Sequence, residues 1–148
     1  MRSVVIILIV VTIAASCKKD KEAPLRYFEV GMKTNPADWR DSSFIVATNN
    51  AGLLAQIEQE LNKPVAQRKI VAGPLLEGSG GYNKNATHVF NWRLDEQQWK
   101  LTDMTVEIMD GRPYSDVELN LTYFKDTVKG YGSWGSYIKS ELIPIPFD

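Results

Sequence analysis

Residues 49–64, NNAGLLAQIEQELNKP, form the clearest stretch in which apolar side chains recur at helical spacing. Leu53, Leu54, Ile57 and Leu61 fall on one face, Asn49 or Asn50 stands where a side-chain oxygen can cap the first turn, and Pro64 ends the run. A single amphipathic helix cannot bury its own apolar stripe, so the rest of the chain must supply the opposing layer. That rest is broken into runs of strand length. LRYFEVGM alternates, SFIVAT is a short continuous apolar run, and RKIVAGPLL is a strand interrupted at Gly73-Pro74. THVFNWRL places His88, Phe90, Trp92 and Leu94 on one face, DMTVEIMDG alternates Met104, Val106 and Ile108 against Thr105, Glu107 and Met109, and a last strand is expected near Tyr137 to Leu142. SDVE at Ser115 to Glu118 fits a capping box that opens a short helix carrying Val117, Leu121 and Phe124. Strand and helix do not alternate regularly. The expected fold is therefore a single α+β domain, mainly antiparallel sheet with one longer and one short helix.

The N-terminus is of a different kind. MRSVVIILIVVTIAASC has one cation at Arg2 and twelve uncharged, mostly apolar residues from Val4 to Ala15. That is shorter than the roughly 20 residues a membrane-spanning helix needs, and it reads as a signal peptide. Its ending, AASC, resembles the lipobox of bacterial lipoproteins, although Ala14 stands where leucine is more usual. The resemblance implies that Cys17, the only cysteine, carries acyl chains and becomes the mature N-terminus. Several acyl chains at about 0.8 kcal/mol per buried CH2 hold a protein stably on a bilayer. The organisation expected is signal peptide 1–16, charged tether 17–24 beginning CKKDKEAP, and globular domain 25–148, with the protein lipid-anchored in the bacterial envelope. The outer membrane is the expected location, at its periplasmic or surface face.

A formal net charge of −1 and the lack of a long lysine or arginine run exclude nucleic acid as an expected partner. With one histidine and one cysteine, no metal-ligand spacing and no cofactor motif are present. Gly78, Gly80 and Gly81 lack the lysine-serine ending and the following helix of a phosphate loop, and are read as a hairpin turn.

Read in order, GPLLEGSGGYN…FNWRLD, VEIMDGRPYSDVELNLTYF and VKGYGSWGSYIKSEL resemble the BP-seventy-four-type N-terminal domain, named after a eukaryotic calmodulin-binding protein. The likeness covers about Phe28 to Leu142. Relatives place histidine at Arg93, cysteine at Met109 and a second cysteine just before the tryptophan of YGSW. The joint absence of both cysteines is what a family disulfide implies, and whether a family site that depended on the histidine survives with Arg93 is left open by the resemblance. Calmodulin is not an expected partner, because the helix carries Glu58 and Glu60 and no basic residue before Lys63.

No catalytic set is marked out. His88 is expected to pack half-buried, and Asp95 and Asp110 to end strands as turn residues. Of Trp39, Trp92, Trp99 and Trp134, only Trp134, flanked by Gly132 and Gly135, has a local context that favours exposure. Trp134 with Tyr82 and Asn83 forms the candidate ligand site. Two alternatives stand beside a binding module for an extracytoplasmic ligand or protein. One is a hydrolase using carboxylates such as Glu107 and Asp110; Asp103 and Asp116 lie in the same half of the chain. The other is a purely structural lipoprotein.

Overall fold

In the computed structural model, which describes residues 22–143, the helix α1 spans Ala51–Leu61. Its cap is Asn50, whose side chain accepts from the Leu53 N–H at 3.0 Å. Leu53 and Ile57 are buried, Leu54 and Leu61 partly so, and α1 packs on strands from both of the larger sheets. Burying one such aliphatic side chain contributes roughly 1.5–3 kcal/mol, enough for the stripe to decide where the helix lies. Glu60 is also buried. It is satisfied by the Lys63 ammonium at 2.6 Å and the Lys69 N–H at 2.8 Å. Desolvation is the largest single influence on its carboxyl and opposes ionisation, but these bonds together outweigh it and hold the group below the usual range.

All the strand pairs among the described residues are antiparallel. β1 (Arg26–Met32) lies between β2 (Ser43–Thr48) and the C-terminal strand β10 (Ser136–Leu142), with a bulge between Glu29 and Val30. β2 is buried along its whole length, as its continuous apolar run requires. A second sheet has β3 (Ile70–Gly73) between β8 (Lys100–Thr102) and β9 (Tyr131–Gly132). Two short ladders complete the fold: β4 (Leu75–Glu77) with β7 (Trp92–Leu94), and β5 (Lys84–Asn85) with β6 (His88–Val89). The α+β architecture is therefore as expected. The main core joins both larger sheets, with Phe44 5.2 Å from Trp92 and 5.1 Å from Tyr131, ring centre to ring centre.

Four local expectations are corrected. Gly73-Pro74 does more than interrupt a strand, because β3 and β4 join different sheets. THVFNWRL is split into β6 and β7, although Phe90, Trp92 and Leu94 all face the core. The segment DMTVEIMDG is not a strand: Met104 and Val106 are about four-fifths exposed, and left-handed backbone at Met109 and Gly111 turns the chain away. The capping box also fails. Two π-helical turns occupy Pro113–Glu118 and Tyr123–Val128, and the first begins with proline rather than with Ser115.

The cap of that first turn comes from far away in sequence. Buried Asp41, in the 3-10 turn Trp39–Asp41, accepts from the N–H groups of Tyr114 and Ser115 through Oδ1, both at 2.8 Å. The Ser115 hydroxyl donates to Oδ2 at 2.5 Å.

Candidate functional site

The turn between β9 and β10 presents Trp134. Close packing explains the glycine two residues before it: a Cβ on Gly132 would collide with Thr105 Oγ1, so only glycine lets the 105–106 segment cross β9 there. The indole Nε1–H donates to the Thr105 carbonyl at 2.9 Å, and the Trp134 N–H donates to Glu107 Oε1 at 3.0 Å. Ser133 donates to the Asp110 carbonyl at 2.8 Å, and the Lys33 N–H to the Gly135 carbonyl at 2.7 Å. Trp134 is thus fixed along its nitrogen edge and through its backbone while the residue remains 59% exposed.

Trp134 lines two clefts. One, of about 400 Å3, is lined also by Lys33, Gln67, Arg68, Lys69, Asp103 and Met104. The other, of about 410 Å3, includes Asn35, Glu107, Asp110, Arg112 and Ser133. Glu107 and Asp110 therefore do line one cleft, but each is already engaged: Glu107 by Trp134 and Asp110 by the Arg112 guanidinium at 2.5 Å. In the first cleft Arg68 is spent on carbonyls of Leu61, Lys63, Ile138 and Lys139. Lys69 pairs with Asp103 at 3.3 Å, whereas the Lys33 ammonium makes one long contact, 3.4 Å, with the Arg68 carbonyl.

The structure does not bring Tyr82 and Asn83 to Trp134. Both are buried, and neither lines the clefts that Trp134 lines. Asn83 accepts from the Ile45 N–H at 2.9 Å and donates to the Trp92 carbonyl at 2.8 Å, so it stitches β2 to β7. The Tyr82 hydroxyl donates to Glu96 at 2.8 Å, and burial pushes its ionisation far up. In this structure both side chains bond to neighbouring segments and neither meets Trp134.

The remaining expectations divide. His88 is half-buried among Phe90, Tyr114 and Trp39, with Nε2 3.1 Å from Glu118. Asp95 ends β7 and accepts from the Gln97 N–H at 2.9 Å as a turn residue. Trp92 and Trp99 are core, but Trp39 is 52% exposed, so Trp134 is not alone. Lys33, Gln67, Lys69 and Met104 escape sequence reasoning, because they come from three separate segments and carry no local motif. Arg93 donates to the carbonyls of Glu77 and Gly78 at 2.6 and 3.2 Å and holds the glycine turn.

Among the described residues, no group of three or more His, Cys, Asp or Glu could hold a metal ion, and no helix is long and apolar enough to cross a membrane. The expected signal segment and Cys17 lie outside the described residues. No curated protein and no solved structure matches the chain. The sequence pattern of the BP-seventy-four N-terminal domain matches residues 25–144, nearly the whole of the expected globular domain. The chain belongs to the BP-seventy-four N-terminal domain family.

Proposed function

We propose that this is a lipid-anchored bacterial envelope protein whose BP-seventy-four domain binds an extracytoplasmic ligand at Trp134. The anchor reading rests on the N-terminal apolar segment and the lone Cys17 of AASC. The observation that carries the binding reading is the fixation of an exposed indole beside two clefts. A rigid aromatic surface loses little conformational freedom when it is covered, so contact there yields net affinity. Position supports the same view. The tether joins β1 at Arg26, whereas Lys33, just past the other end of this seven-residue strand, bonds the Trp134 turn. At about 3.3 Å per residue, roughly 20 Å of strand separates tether and cleft, which leaves the cleft free to face away from the bilayer.

The hydrolase alternative is weaker because Glu107 and Asp110 are held by groups that shape the loop. The test is retention of fractionated envelope material by detergent-solubilised, immobilised full-length protein. Wild type is expected to retain a component that Trp134→Ala loses with its circular dichroism unchanged. Equal retention by both would place binding elsewhere.

A further inference from the structure

The cleft of Lys33, Gln67, Lys69, Asp103, Met104 and Trp134 has a chemical character of its own. Its charged lining is three cations against one carboxylate, and Arg68 contributes chiefly field, since its guanidinium makes four bonds to backbone carbonyls. The Lys33 ammonium is the least engaged donor, and Lys69 is bridged only to Asp103, whose side chain is 83% exposed. Apolar surface comes from Trp134 and from Met104, which is 80% exposed. The site thus combines a fixed flat apolar ring, ammonium donors and a carboxylate acceptor within about 400 Å3.

Resting on the reading that Trp134 marks a ligand site, we infer that this cleft takes an acidic saccharide. A pyranose presents an apolar C–H face that can lie on an indole, and its hydroxyls both donate and accept. Asp103 and Gln67 match the hydroxyls, and Lys33 and Lys69 match a ring carboxylate, sulfate or phosphate. A peptide fits less well. Extended peptides gain most of their affinity by pairing with an open strand edge. Here β3 is flanked by β8 and β9, and where β9 stops short of Val71 the Ser136 hydroxyl accepts from the Val71 N–H at 3.1 Å and lies 3.3 Å from its carbonyl.

The test is calorimetric titration of the detergent-solubilised full chain with trigalacturonate, maltotriose and a hexaglutamate peptide. Trigalacturonate is expected to bind at least tenfold tighter than either of the others. The affinity should fall tenfold or more in Lys33→Gln/Lys69→Gln and in Trp134→Ala, weaken with added salt, and survive in Trp39→Ala. Equal binding of maltotriose would overturn the assignment of an acidic ligand, and preferential binding of hexaglutamate would overturn the saccharide. If none of the three binds, the saccharide assignment fails. Trp134-dependent retention of another envelope component would then leave the broader binding reading standing, and its absence would remove both.

Discussion

Arg93 lies across Gly80 so closely that a Cβ on the glycine would come within 2.7 Å of Arg93 Cδ and of the Tyr82 ring, at a backbone φ of +64°. The Arg93 side chain thus closes over the glycine turn. Gly81 has a similar φ of +79°, but nothing lies within 4 Å of its missing Cβ. Gly81→Ala should therefore cost only the left-handed backbone penalty of about 1–2 kcal/mol. Gly80→Ala should cost about 1–2 kcal/mol more, because Arg93 or the buried Tyr82 ring must move. Urea midpoints of the two variants measure the difference, and Arg93→Ala should reduce it.

Asp41 caps the π-helical turn through three hydrogen bonds from a site that is 2% exposed. Asp41→Ala leaves two backbone N–H groups and a hydroxyl without their acceptor and should destabilise by about 3 kcal/mol. Ser115→Ala removes a single bond and should cost about 1 kcal/mol. Equilibrium unfolding of both variants gives the comparison, with the larger loss expected for Asp41.

Acid should unfold the domain through its paired carboxylates. Hydrogen bonds from the Arg40 side chain and backbone hold Asp38 down at about 2, from an ordinary 3.8. Glu77 and Glu141 are also lowered, chiefly by hydrogen bonds from Lys125 and Arg26. A carboxyl with a lowered folded-state pKa binds protons more readily when unfolded. Its stabilisation is complete above the unfolded value and disappears as pH falls through the folded one. Melting temperature should accordingly be flat with respect to Asp38 above about pH 5 and decline between about pH 4 and 2. Asp38→Asn should make that decline shallower; each pair is solvent-screened, so the individual changes are small.

Much of the fold was legible because its signals are local. An asparagine cap, apolar residues at helical spacing and a terminal proline delimit α1, and alternation or continuous apolar runs delimit β1 and β2. The segment from Met104 to Met109 misleads for a physical reason. Alternation distributes side chains on two faces but does not provide a ladder partner. Here the Thr105 carbonyl is taken by the Trp134 indole rather than by a neighbouring strand. The second helix is legible in its approximate place but not in its cap, since the capping carboxylate is remote in sequence. At the candidate site, the glycines around Trp134 announce an exposed turn. Lys33, Lys69 and Met104 meet it only through the sheet pairing of β3 and β10 with their neighbours, which no short motif encodes.

The claim that this domain works on a membrane tether is tested most directly at Cys17. Cells expressing the full-length protein or Cys17→Ala are grown with an alkynyl fatty acid, and the purified proteins are examined for label. Label on the wild type, in the membrane fraction, and none on Cys17→Ala is the expected result. A wild type as unlabelled as the variant would contradict the lipid anchor.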